Sequence, residues 1–250
     1  MSAFATAYAG DAGTRLVPVS TSQRIDDGHS GDDVFMNIPG GTGSFRATAA
    51  TTNTGTGILD PGSMTNLAAW VPGNYTVQFD TASSYQVLDA SNAVIASGPY
   101  VSGGSITVYG AQVAISGAPA GGDRFTIAPG GFRDVFATLD SLVGALESSP
   151  GTPAARAQLS SEMNGIIQQL SQTADHLLNV RADVGSRLSR LDSVTATRED
   201  LDLQLNTSLS TLRDVDYATA ITKMNAQLVS LQAAQQSYTR IAGLSLFDYL

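Results

Sequence analysis

The sequence contains no cysteine. Disulfides, thiolate metal sites and cysteine nucleophiles are therefore excluded. Charge is also scarce: only 14% of residues are Asp, Glu, Lys or Arg, against about a quarter in ordinary soluble proteins. Lys223 is the single lysine, and the net charge is −9 with a pI of about 4.4. A surface so poor in positive charge does not suit nucleic acid or an anionic membrane, since both select basic faces. No apolar run approaches the roughly 20 residues that span a bilayer. Residues 1–30 lack a basic segment followed by an apolar core, so no secretory signal is visible. The residues alone then suggest a cytoplasmic protein, unless it leaves by a route without a cleaved signal.

What is present falls into two grammars. Residues 1–130 are rich in Gly, Thr, Ser and Pro, with short alternating runs. YTVQF at 75–79 alternates apolar and polar, as do 85–87, 106–108, 113–115 and 125–127. Turn residues separate them at 89–92, 102–104 and 118–123. Short strands with closely spaced turns predict an antiparallel sandwich or barrel. Residues 14–20 and 34–38 are expected to be further strands, and 39–63 a long loop before Trp70.

After Gly130-Gly131 the period changes. Val135, Leu139, Leu142 and Leu146 mark one amphipathic helix. Thr152 then fits an N-cap, with Pro153 at the first helical position. Met163, Leu170, Leu177, Val184, Leu191, Leu205 and Leu212 follow a heptad series broken at Arg198. Leu159, Ile166, Val180, Val194 and Leu201 form a companion series broken at Thr173, Arg187 and Ser208. Such breaks set register, or mark places where the partner is not a simple helix. An unbroken helix of about 55–60 residues would run roughly 85–90 Å, which predicts a coiled-coil-like bundle. A break near 213–216 precedes a terminal helix. There Tyr217, Met224, Leu231 and Tyr238 recur at heptad spacing, with Ile221 and Leu228 between them. The chain closes on an apolar tail, LSLFDYL. The expected fold is thus α+β, with an N-terminal antiparallel β-rich domain followed by a long-helix, coiled-coil-like bundle. The expected divisions are a β-rich outer domain (1–130), a rod (131–213) and a terminal assembly helix (214–250).

Chemistry is hard to find. Residues 26–33, DDGHSGDD, place four carboxylates around His29. The spacing does not match a calcium loop, and a turn is the preferred reading over a metal site. Gly28-His29-Ser30-Gly31-Asp32 fails as a nucleophile elbow, because Asp32 stands where glycine is needed. The glycine tracts at 40–43 and 53–57 lack the lysine of a phosphate loop. His176 reads as a flank residue of the long helix. No enzyme activity, cofactor or metal is expected.

Residues 224–250, MNAQLVSLQAAQQSYTRIAGLSLFDYL, closely resemble the C-terminus of the hook–filament junction proteins of bacterial flagella, the FlgL family within the flagellin superfamily. The LQAAQQSY core (231–238) and the closing LSLF (244–247) are the specific parts. Asp216-Tyr217-Ala218, the strand run from Tyr75 to Ile127 and the Tyr8-Ala9-Gly10-Asp11 opening are similar to the same family. The resemblance implies a flagellin-like structural subunit. It would be exported through the flagellar type III apparatus, built into the extracellular flagellum, and would polymerise through its terminal helices. Implied partners are further copies of itself, the hook-side junction protein, flagellin and an export chaperone, with no role for nucleic acid or membrane. Ile221, Met224, Leu228, Leu231, Tyr238, Leu244, Leu246 and Phe247 are the expected assembly residues. The family also carries an N-terminal helical segment, and no such heptads stand before Tyr8 in this sequence.

Two further expectations stand beside this one. The stripe from Ile221 to Leu231 could instead pack on the chain's own helix at 153–211. A secreted or phage-tail-like adhesin, with a β head on a helical stalk, would bind through loops near Trp70, Tyr75 or Tyr100. Left unpaired, the helical seam is worth about 1.5–3 kcal/mol per fully buried side chain. It is expected to self-associate, to take up the short helix at 132–147, or to leave 214–250 frayed.

Overall fold

A computed structural model describes residues 8–213 and 217–243. Its contacts divide into two units, Met1–Ser189 and Arg190–Leu250. The first unit holds the β-structure. Strands β1 (Leu16–Pro18) and β2 (Arg24–Asp26) form an antiparallel hairpin. β3 (Ile38–Pro39), β4 (Phe45–Ala49), β5 (Ile58–Leu59) and β6 (Ser63–Met64) follow. Next come β7 (Tyr75–Thr81), β8 (Ser84–Leu88), β9 (Val94–Pro99), β10 (Ser105–Val108), β11 (Ala111–Ser116), β12 (Arg124–Pro129) and β13 (Phe132–Arg133).

Five strands form one antiparallel sheet in the order β4-β12-β7-β8-β9. A second sheet runs β10-β11-β5, with β6 also paired to β11. The alternation read from the sequence explains why they pack. Tyr75, Val77 and Phe79 of β7 are buried, while Thr76 and Gln78 between them are only partly so. Val87, Phe125 and Ile127 join them from the same sheet, and Ile106, Val108, Val113 and Ile115 come from the other. The result is one core between two sheet faces. Three phenylalanines anchor it, and the rings of Phe79 and Phe125 meet edge to face at 5.8 Å.

Two expectations are corrected. Residues 34–38 are not one strand: only Ile38 is extended, opening β3, and Asp32–Met36 form a single π-type helical turn. Ser30 initiates it: its hydroxyl accepts from the Asp33 N–H at 3.1 Å, and its carbonyl accepts from Val34 at 3.1 Å. The partner of β1 is β2 instead. Residues 39–63 are likewise not one loop, because they contain β4, β5 and β6. Phe45 of β4 is fully buried in the core. Its Ala- and Thr-rich surroundings carried too little apolar contrast to signal a strand. Close backbone approach explains the glycines there: a Cβ on Gly40 would collide with the Gly130 carbonyl, and the reverse also holds.

Helix α1 (Val135–Glu147) is capped by Asp134, whose carboxylate accepts from the Ala137 N–H at 2.6 Å. It packs against the π-type turn through Phe136 and Phe35, with ring centroids 6.3 Å apart. Helix α2 (Pro153–Arg213) starts where the sequence places it, with the Thr152 hydroxyl accepting from the Ala155 N–H at 3.1 Å. Its buried residues are Ala157, Ser161, Ile166, Gln169 and Thr173. The helix therefore docks on the β-structure through a mostly small and polar face. Ser161 accepts from the Leu59 N–H at 2.9 Å, and Asn164 donates to the Leu59 carbonyl at 3.1 Å. In the second unit, the rest of α2 and helix α3 (Tyr217–Gly243) contain no buried residue among those described.

Candidate assembly interface

Helix α3 follows from composition: it is rich in Ala and Gln, holds no proline, and ends at Gly243. At 3.6 residues per turn, Tyr217, Ile221, Met224, Leu228, Leu231 and Tyr238 fall within about 100° of arc. All six are exposed, from 49% at Leu228 to 78% at Tyr217. Packing of an apolar face supplies most of a helix's stability in proteins. An exposed apolar face of this kind is a candidate interaction surface. Leu244, Leu246 and Phe247 lie outside the described residues. On α2, Leu191, Leu201, Leu205 and Leu212 of the two heptad series are exposed as well. Within the first unit the two series are partly covered at Leu159, Met163 and Leu170, and exposed at Leu177 and Val184.

Two of the heptad interruptions have a structural use that the sequence pattern did not reveal. Thr173 is buried on the docking face, and its hydroxyl donates to the Gln169 carbonyl at 2.9 Å. Arg187 holds the acidic stretch at 26–33. Its guanidinium donates to the Asp183 carboxylate at 2.5 Å and to the Gly28 carbonyl at 3.2 Å, and lies 3.7 Å from the Asp26 carboxylate. His29 Nε2 lies 3.0 Å from both Arg187 and Asp183, and Nδ1 lies 3.3 Å from Asp33. His176 reaches the same stretch, with Nε2 2.9 Å from the Asp33 carbonyl. Both histidines thus tether residues 26–33 to α2. Among the described residues, no group of three or more His, Asp or Glu is arranged to hold a metal ion.

Trp70, Tyr75 and Tyr100, the aromatic residues nearest the candidate binding loops, pack in or against the β core. Trp70 is half-buried against Phe45 and Tyr75, each at a centroid distance of 5.9 Å. The Tyr75 hydroxyl donates to the Val71 carbonyl at 2.8 Å, and that of Tyr100 donates to Gly117 at 2.8 Å. Burial, then the neighbouring Tyr109 and Asp89, push the Tyr75 phenol above its ordinary pKa. These rings are core anchors with internally bonded hydroxyls. No described helix is long and apolar enough to cross a membrane.

An antiparallel β-domain followed by long C-terminal helices with an uncovered apolar stripe defines a subunit of the flagellin type. Comparison with known proteins agrees. The family of the bacterial flagellin C-terminal helical region matches residues 166–250, and that of the flagellar hook-associated protein 1 D2-like domain matches 48–129. FlgL of Xanthomonas campestris, in one crystal form, is 36% identical, with a TM-score of 0.70 over 82% of this chain and 67% of that one. Flagellar hook-associated protein 3 of Legionella pneumophila is 31% identical, with a TM-score of 0.77 over 84% and 67%. The chain belongs to the FlgL family, that of flagellar hook-associated protein 3. Its curated relative from Escherichia coli K12, also flagellar hook-associated protein 3, is 32% identical over 120 residues, 46% of this chain and 37% of that protein. The matched region thus spans little more than a third of that relative.

Proposed function

We propose that the chain is a structural subunit of the bacterial flagellum, seated at the junction of hook and filament, and not an enzyme. The observation that carries this is the apolar stripe of α3, left uncovered in a region matching the flagellin C-terminal helices. Its assembly residues are Ile221, Met224, Leu228, Leu231 and Tyr238, joined by Leu244, Leu246 and Phe247 of the tail. Functionally the chain divides into an outer β-domain (1–130), a rod (131–213) and an assembly helix (214–250). Its partners are further copies of itself, the hook-side junction protein, flagellin and an export chaperone, and it acts outside the cell after export through the flagellar type III apparatus.

Removing residues 244–250 tests this reading in a cell that depends on the protein for its junction. Filaments should then be released into the medium, while hooks remain. Attached filaments at normal frequency would contradict it.

A further inference from the structure

Strand β4 is an edge of the five-stranded sheet. Its inner side is fixed by β12: the Ala50 N–H donates to the Arg124 carbonyl at 3.0 Å, and the Gly130 N–H donates to Ser44 at 3.1 Å. Antiparallel alternation then turns the backbone groups of Phe45, Ala47 and Ala49 outward. Phe45 is served by Thr42, whose N–H donates to its carbonyl at 2.9 Å and whose hydroxyl accepts from its N–H at 3.3 Å. Ala47 and Ala49 find no partner on that side among the described residues.

Helix α2 covers the two ends of this edge and leaves its middle open. Gln158 donates to the Asn53 carbonyl at 2.8 Å beyond one end, and Gln169 accepts from the Gly41 N–H at 3.0 Å before the other. Between them lies a cavity of about 360 Å³ lined by Ala47, Ala49, Arg46, Arg133 and Gly165. That is the size of a small ligand site, enough for a few residues of chain. Gly165 helps to make this room, since a Cβ there would meet nothing within 4 Å. The Arg46 Nε is buried and has no hydrogen-bond partner. Neither Arg46 nor Arg133 forms an ion pair with a described residue; Glu162, exposed at the lining, is the cavity's single acid.

An open strand edge is a template for another strand. A guanidinium with an orphaned donor calls for an oxygen acceptor, best a carboxylate. We propose that this cavity is a strand-addition site. It takes an extended peptide segment of another protein, paired to Ala47 and Ala49 and carrying an acidic side chain bound by Arg46 and Arg133. The chain's own acid-rich stretch at 26–33 is tied down by Arg187 and His176, which disfavours a second copy as the donor. The inference stands on the β-structure and does not depend on the flagellar placement.

The test titrates the full chain with a blocked pentapeptide, threonine-valine-aspartate-valine-threonine, and follows backbone amides by NMR. Saturable shifts centred on Ala47 and Ala49 are expected. Binding should weaken about ten-fold or more when lysine replaces the aspartate, when the peptide backbone is N-methylated throughout, or in Gly165→Leu. That variant fills the cavity, and its melting temperature should rise because leucine favours a helix interior. No saturable shift at millimolar peptide, or binding indifferent to N-methylation and to Gly165→Leu, would overturn the proposal. So would self-association of the peptide-free chain that Gly165→Leu abolishes, since that would assign the edge to a second copy.

Discussion

Gln169 and Gly41, 128 residues apart, are joined by a buried hydrogen bond of 3.0 Å from the Gly41 N–H to the Gln169 Oε1. The same amide donates to the Pro39 carbonyl at 3.2 Å. One side chain of α2 thus satisfies two backbone groups that the turn before β4 leaves open. Gln169→Ala should lower the stability of this unit by about 1–3 kcal/mol, the cost of orphaning buried polar groups. Gln169→Glu keeps an acceptor but loses the donor, so it should retain part of the loss. Urea unfolding measures both.

Asp123 plays the matching role for the turn at 53–57. It is buried, and its carboxylate accepts from the N–H groups of Thr54 at 2.8 Å, Gly55 at 3.1 Å and Ala120 at 2.9 Å. Asp123→Ala should cost about 2–3 kcal/mol and should speed amide exchange at Thr54 and Gly55. Unchanged exchange there would show that the turn holds without the carboxylate.

Asp89, half-buried, organises the β8–β9 turn. Its carboxylate accepts from the Ser91 hydroxyl at 2.6 Å and from the Ala93 N–H at 2.9 Å. The Ser91 hydroxyl first, then the Ala93 amide, hold the acid below its ordinary pKa. With the folded pKa below the unfolded one, the associated stabilisation is present above the unfolded pKa. It is lost as pH falls through the folded pKa. An NMR titration of the side-chain carboxyl should find Asp89 titrating below ordinary aspartate, and Ser91→Ala should move it back up.

Arg187 forks between the Gly28 carbonyl and the Asp183 carboxylate. Arg187→Ala should leave the β-sheets intact and release residues 26–33, seen as faster exchange of their amides. Arg187→Lys should not restore protection, because an ammonium lacks the planar fork. Equal protection in all three proteins would remove the tether from the description.

The sequence was most legible where period and burial coincide. Tyr75-Val77-Phe79 alternates because one face of β7 meets the core, and Thr152-Pro153 starts α2 by local geometry alone. It was least legible where tertiary contacts supply what composition lacks. Phe45 sits among alanines and threonines, and β4 exists because β12 pairs with it. The π-type turn at Asp32–Met36 depends on Ser30 and on docking of Phe35 against Phe136. The α3 stripe was fully visible because heptad spacing needs no tertiary information. The polar docking face of α2 was not, since Ser161, Gln169 and Thr173 look like ordinary surface residues. The one available signal was the heptad breaks at Thr173 and Arg187, each a hydrogen-bonding residue in an apolar series.

The most direct test places charge on the stripe. Met224→Asp with Leu228→Asp, introduced into the gene of a bacterium that relies on this protein, should leave the β-structure folded, as read by unchanged Val77 and Phe125 amide shifts in the purified chain. Electron microscopy should then show bare hooks with filaments shed into the medium. Filaments attached at the frequency of the unsubstituted protein would contradict assembly through this helix.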